Sequence, residues 1–311
     1  MNLARLFQDK LDSKEIVILD GGTGTEVARR GITIHGNRSW SANANIAFPD
    51  LVRDIHEDYI HAGAQIITTN TFSTKRSNLA VDGLSEKIEE INNQSVKLAM
   101  EARENCGAEK TVLIAGSVGA WVTSFPSYEE ALEVYREQVQ ILAEAGVDII
   151  VLEMFFETVD MKAALDAATE TGLPIWVGLS CENHDGQIYL GLMRKHWDET
   201  IADAVSICSS PNVKSISIMH SPPEVTADAL RELRKLTPLP LGAYSHGGSM
   251  EDQRGVAPKA GSDGQSLSGT DPENYVGYAR EWVACGATII GGCCGTTPDH
   301  IKALSNSDLS S

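Results

Sequence analysis

The sequence predicts an α/β protein built as a single (β/α)8 TIM barrel, and three observations predict it. Eight short apolar, β-rich runs alternate with amphipathic helical stretches along the 311 residues, the pattern of parallel strands joined by crossover helices. Glycines stand directly ahead of several strands, at Gly63, Gly146, Gly172 and Gly286, where a left-handed residue stops a helix before the chain turns into the sheet. The length suits one barrel of about 250 residues plus insertions. No Pro-, Gly- or Ser-rich linker divides the chain, so residues 1–311 read as one domain with a polar tail from about 305.

The strands are expected at 16–20, 65–69, 112–116, 148–153, 175–179, 215–219, 241–244 and 288–291. Apolar spacing near 3.6 places helices between them at 50–62, 84–105, 128–145, 159–171, 197–209, 223–236 and 272–285. Asp271-Pro272 and Thr297-Pro298 each pair an N-cap with proline at the first helical position, which starts the last two helices. The longest irregular piece, 245–269, is rich in Gly, Ser and charge, and reads as a functional loop over the barrel mouth.

Composition narrows the function. A hydrophobic fraction of 42% and a charged fraction of 22% describe a folded globular chain. The net charge of -18 opposes binding to a phosphate backbone, so small-molecule substrates are expected and nucleic acid is not. No apolar run reaches the roughly 20 residues of a membrane span, and the first residues show no signal-peptide core, so a cytoplasmic protein is expected. Six cysteines, two of them adjacent, suggest reduced thiols and metal chemistry rather than a disulfide framework. Cys106, Cys208 and Cys285 fall in or beside helical patterns and read as small buried hydrophobes.

Catalytic groups of such barrels lie at the C-terminal ends of the strands. Those positions hold Asp20, Asn70, Ser117, Glu153, Cys181, His220, His246 and the pair Cys293-Cys294. Packing alone does not put polar and metal-binding side chains at nearly every strand end. The glycines around Cys293-Cys294 let the backbone turn so that both sulfurs reach one ion. Glu153 closes the apolar strand Ile149-Ile150-Val151-Leu152, where a carboxylate needs a partner, whereas Asp20 before Gly21-Gly22 also suits an ordinary turn. The run Gly21-Gly22-Thr23-Gly24-Thr25 would present backbone amides to an anion, and no lysine or distant acid completes a nucleotide fingerprint. Trp40, Trp121 and Phe155 are candidates either for a cation–π box around a methyl donor or for core packing.

The segment 291–300, with Leu19-Asp20-Gly21-Gly22-Thr23-Gly24-Thr25-Glu26 and Thr69-Asn70-Thr71-Phe72, resembles the homocysteine S-methyltransferase family, including the homocysteine-binding module of methionine synthase. The resemblance implies a Zn2+ ion held by three cysteines, two from the last strand and one from the sixth, with the homocysteine sulfur as fourth ligand. It implies that Asp20 and Glu153 receive the substrate's amino group, with Gly21, Gly22, Glu26, Asn70 and Ser117 around it. The implied reaction moves a methyl group from a small donor, most simply a sulfonium such as S-methylmethionine, to homocysteine, giving methionine. Catalysis would need no residue beyond the metal site.

One position departs from the pattern. Where the family carries Asn-Cys on the sixth strand, this chain has Met219-His220-Ser221-Pro222. Cys2His with an open position is an established catalytic zinc arrangement, so His220, Cys293 and Cys294 are the expected ligands. Cys181 or His246 as third ligand, or an inert His220 in a metal-free site, stay open. So do a different thiol or methylated substrate, and a non-catalytic or corrinoid-coupled homocysteine-binding subunit.

Overall fold

The computed structural model describes residues 3–32, 39–120, 125–191, 197–247 and 270–310. Eight parallel strands form the sheet: β1 (Val17–Ile18), β2 (Ile66–Thr68), β3 (Leu113–Gly119), β4 (Ile149–Phe155), β5 (Ile175–Leu179), β8 (Val213–Met219), β9 (Leu241–Tyr244) and β10 (Ala287–Ile290). Their order, β1-β10-β9-β8-β5-β4-β3-β2, is closed into a barrel by a parallel bridge between Leu19 and Ile66. The two strands left out of that sheet, β6 (Cys181–His184) and β7 (Gln187–Leu190), form an antiparallel hairpin that the sequence reading had not foreseen.

The outer helices follow the expected rhythm: α4 (Pro49–His61), α6 (Ile88–Asn105), α7 (Tyr128–Ala145), α8 (Thr158–Glu170), α9 (Ile201–Ile207), α10 (Pro223–Leu236), α11 (Pro272–Ala284) and α12 (Pro298–Asn306). All four pre-strand glycines take positive φ, between 73° at Gly172 and 104° at Gly63. Asp271 caps α11 by accepting the amides of Glu273 and Asn274, each at 3.0 Å. Four helices were not anticipated: α1 (Leu3–Asp12), α2 (Thr23–Arg29), α3 (Ala44–Ala47) and α5 (Arg76–Val81). Helix α1 matters most, because Phe7 and Leu11 are buried in the same cluster as the barrel-interior residues Val17, Leu19, Ile66 and Leu113. It stoppers the end of the barrel away from the mouth.

Strand alternation decides what the mouth contains. Inward residues Leu113 and Ala115, Ile149 and Val151, Trp176, and Ile289 share the interior cluster, while Ile114, Ile150, Val177 and Ile290 pack outward against the helices. Continuing the period of two toward the C-terminal ends carries Ser117, Glu153, Gly178, Met219 and Tyr244 onto the inward face.

Candidate metal and amine site

His220 follows β8 with φ of +44°. Such a backbone is uncommon outside glycine, although histidine tolerates it better than most residues, and it is held where the surroundings over-determine it. The turn breaks the strand alternation after the inward-facing Met219. The His220 amide donates to the Tyr244 carbonyl at 3.3 Å, and its Nδ1 lies 3.4 Å from the Cys293 sulfur and 3.6 Å from that of Cys294. The two sulfurs are 4.0 Å apart.

These separations can be tested against an ion. Bonds of about 2.3 Å to sulfur and 2.0 Å to nitrogen in a tetrahedron put the ligands roughly 3.5 Å (S···N) and 3.8 Å (S···S) apart. The triangle of His220, Cys293 and Cys294 matches both, and among the described residues it is the cluster able to hold a metal. Cys181 does not join it: this thiol is fully buried in the outer core, and burial pushes its pKa far up. His246 stands beside the cluster, its ring 5.6 Å from that of His220 and edge-on to it, and its charge helps to lower the Cys294 thiol. The larger cause of that lowering is the hydrogen bond from Cys293.

The cysteine loop is braced from two sides. The Cys293 amide donates to Ser245 O at 2.9 Å, and the Gly247 amide donates to Cys294 O at 2.7 Å. On the other flank a Cβ on Gly22 would stand 2.6 Å from the Cys293 carbonyl, and one on Gly292 would stand 2.2 Å from Thr296 Oγ1. Of the glycines around the cysteines, Gly295 makes the left-handed turn with φ of +79°, Gly292 lets Thr296 fold back over its own loop, and Gly22 lets the loop after β1 approach Cys293.

Two carboxylates face the same mouth. Asp20 accepts the amide of Thr68 at 2.7 Å and also its hydroxyl. Burial raises the Asp20 carboxyl well above its ordinary value, with Thr68 pulling it down and Glu153 pushing it up. Burial raises Glu153 to about 7; the hydrogen bond from the Ser117 hydroxyl opposes this, and the nearby Cys294 adds to it. Two mutually repelling buried acids are stabilised by a cation between them.

The structure gives several expected residues other partners. Glu26, expected beside the substrate, has both oxygens committed to Arg29 and Arg30, at 2.6 to 2.8 Å, because the glycine run it follows winds into α2 instead of staying a loop. Asn70 is buried in a network with Ser41 and Asn45, accepting from the former's hydroxyl and donating to the latter's side-chain oxygen, so it ties loops together. Of the two roles open to Phe155, core packing holds: it points outward and packs on Tyr135 at 5.9 Å. Trp40 lies against Gly24, where a Cβ would meet its indole nitrogen at 2.1 Å. Trp121 lies outside the described residues, as does the expected loop beyond Gly247 as far as residue 269.

A family model for homocysteine S-methyltransferase matches residues 17–307. The chain belongs to the homocysteine S-methyltransferase family. The homocysteine S-methyltransferase of Escherichia coli K12 is 31% identical, covering 94% of this chain and 96% of that protein. Homocysteine S-methyltransferase 3 of Zea mays is 30% identical over 93% and 88% of the two chains. The metallated form of the homocysteine methyltransferase MmuM from Escherichia coli superposes with a TM-score of 0.79 at 29% identity, covering 98% of this chain and 99% of that one. The protein is therefore an S-methyltransferase, with the imidazole of His220 set beside two thiols at the ends of its strands.

Strand-end position points to His246 on the seventh strand, but alternation along 241–244 places Tyr244 on the inward face as well.

Proposed function

We propose that this chain, acting as one cytoplasmic barrel domain, transfers a methyl group from a small donor, a sulfonium such as S-methylmethionine, to the thiol of homocysteine. The observation that carries the reading is the opening of a His220-Cys293-Cys294 triangle and a buried Asp20-Glu153 pair into one mouth. The first suits a thiol and the second an ammonium, the two polar ends that a thiol amino acid presents. His220, Cys293 and Cys294 would hold a Zn2+ ion, which would supply the Lewis acidity to keep an added thiol deprotonated near neutral pH.

The chain's own groups do the rest. Asp20 and Glu153 hold the amino group, Thr68 and Ser117 fix those carboxylates, and the backbone at Gly21 and Gly22 approaches the substrate carboxylate. The acceptor thiolate's electron pair forms the new carbon–sulfur bond, the donor's bond to methyl breaks with its pair returning to the donor sulfur, and the thiol proton leaves to solvent. The products are methionine and, from S-methylmethionine, a second methionine.

His220 supports a second reading of the acceptor. Replacing a thiolate by neutral imidazole makes the centre less negative by one charge, which lowers the bound thiol's pKa and its nucleophilicity together. A more reactive donor or a different thiol then suits the centre better. The test is metal analysis of reduced protein purified without chelators, followed by methionine formation from homocysteine with S-methylmethionine, S-adenosylmethionine or betaine. About one zinc per chain and turnover with a sulfonium support the proposal. Protein with reduced cysteines but no metal, or loaded protein inert toward homocysteine with all three donors, overturns it.

A further inference from the structure

Tyr244 ends β9 with its side chain turned into the barrel, 3% exposed. Among the described residues no hydrogen bond of good geometry satisfies its hydroxyl, which leans on the Glu153 carboxylate alone, a costly condition for a buried polar group. Space has been made for it. A Cβ on Gly178, the inward-facing residue of β5, would come within 2.6 Å of the hydroxyl oxygen. The charged groups that reach the hydroxyl are Glu153, Cys293 and Asp20, so it faces both carboxylates of the mouth and one sulfur of the triangle. Its main-chain carbonyl is already committed to the His220 amide.

An ammonium ion brings three N–H donors. Asp20 and Glu153, each steadied by a neighbouring hydroxyl, offer two acceptors, and Tyr244 stands beside them with its lone pairs uncommitted even where its proton leans on Glu153. A hydroxyl can accept one N–H while directing its own proton at Glu153, which keeps that carboxylate ionised. We infer that the Tyr244 hydroxyl is the third oxygen for the acceptor's amino group, so that the site selects α-amino thiols over thiols lacking the amine. This rests on the reading of homocysteine as acceptor.

The test compares loaded wild-type protein with Tyr244→Phe, using homocysteine as substrate and 4-sulfanylbutanoate, the same thiol acid without the amine, as competitive inhibitor. The expected result is a KM for homocysteine raised about tenfold or more, the scale of one charge-assisted hydrogen bond. Metal content, kcat and the inhibitor's Ki stay unchanged. Should the phenylalanine variant misfold, Gly178→Ala crowds the same oxygen from β5 and is expected to raise KM with the same selectivity. An unchanged KM, or equal losses for homocysteine and the inhibitor, overturns the inference. Wild-type protein that binds zinc but does not methylate homocysteine strikes the underlying reading instead, which keeps the two failures distinct.

Discussion

Glu153→Gln separates burial from function at one atom. The Glu153 carboxyl is raised from 4.5 to about 7, chiefly by burial. For an acid raised in the folded state, ionisation opposes folding. The penalty is absent below about pH 4.5, grows as pH rises, and is complete above about pH 7. At 1.36 kcal/mol per pKa unit it amounts to about 3 kcal/mol. Glutamine keeps the shape, and its oxygen still accepts the Ser117 hydroxyl. Urea unfolding should therefore find the variant up to about 3 kcal/mol more stable than wild type at pH 8 and equal to it at pH 4. The same change should raise the KM for homocysteine about tenfold to a hundredfold through loss of an anionic partner. Because Cys294 contributes to the shift, a metal ion on that sulfur should bring the Glu153 carboxyl below 7. The variant should therefore lose a limb of kcat/KM that in the loaded wild type rises at a pH below 7. A variant no more stable than wild type at pH 8 would refute the claim that Glu153 is held against its own ionisation.

Cys294→Ser should lose metal and turnover while unfolding as cooperatively as wild type, measured by elemental analysis and circular dichroism; full activity in that variant would remove the metal centre from the reaction. Glu26→Ala should destabilise the fold by about 1 to 3 kcal/mol, since it breaks the buried end of the Arg29 and Arg30 pairs, and should leave the KM for homocysteine unchanged. Gly22→Ala should lower metal occupancy at a given zinc concentration, because its methyl would collide with the Cys293 carbonyl. Phe7→Ala should cost about 3 to 5 kcal/mol in urea unfolding, the range for a buried aromatic truncated to a cavity.

What was legible in the sequence is what periodicity encodes. The eight strands follow from apolar runs separated by helical spacing, and Gly63, Gly146, Gly172 and Gly286 reveal their left-handed turns because other residues rarely adopt them. The metal ligands were legible because adjacent cysteines between glycines have few structural uses. Side-chain partners were less legible. Proximity to a motif or a strand end did not reveal that a partner within one helical turn claims Glu26 or that neighbouring loops bind Asn70, and alternation decides between the two roles open to Phe155 by turning it outward. The hairpin β6–β7 escaped because Cys181 and Leu190 pair locally and follow a barrel strand without a break. Helix α1 escaped because its apolar face is short and precedes the repeating pattern.

That helix shapes the traffic of the enzyme. Among the described residues Phe7 and Leu11 cork one end, so on the proposed reaction both reactants would arrive, and both products depart, by the mouth at the other. With its ammonium between Asp20 and Glu153, as proposed, the amino acid would enter first and the donor would follow above it. The spent donor would then have to leave before the methylated acceptor. A shared vestibule of this kind predicts sequential, ordered kinetics, with departure from the vestibule as a candidate for the slow step.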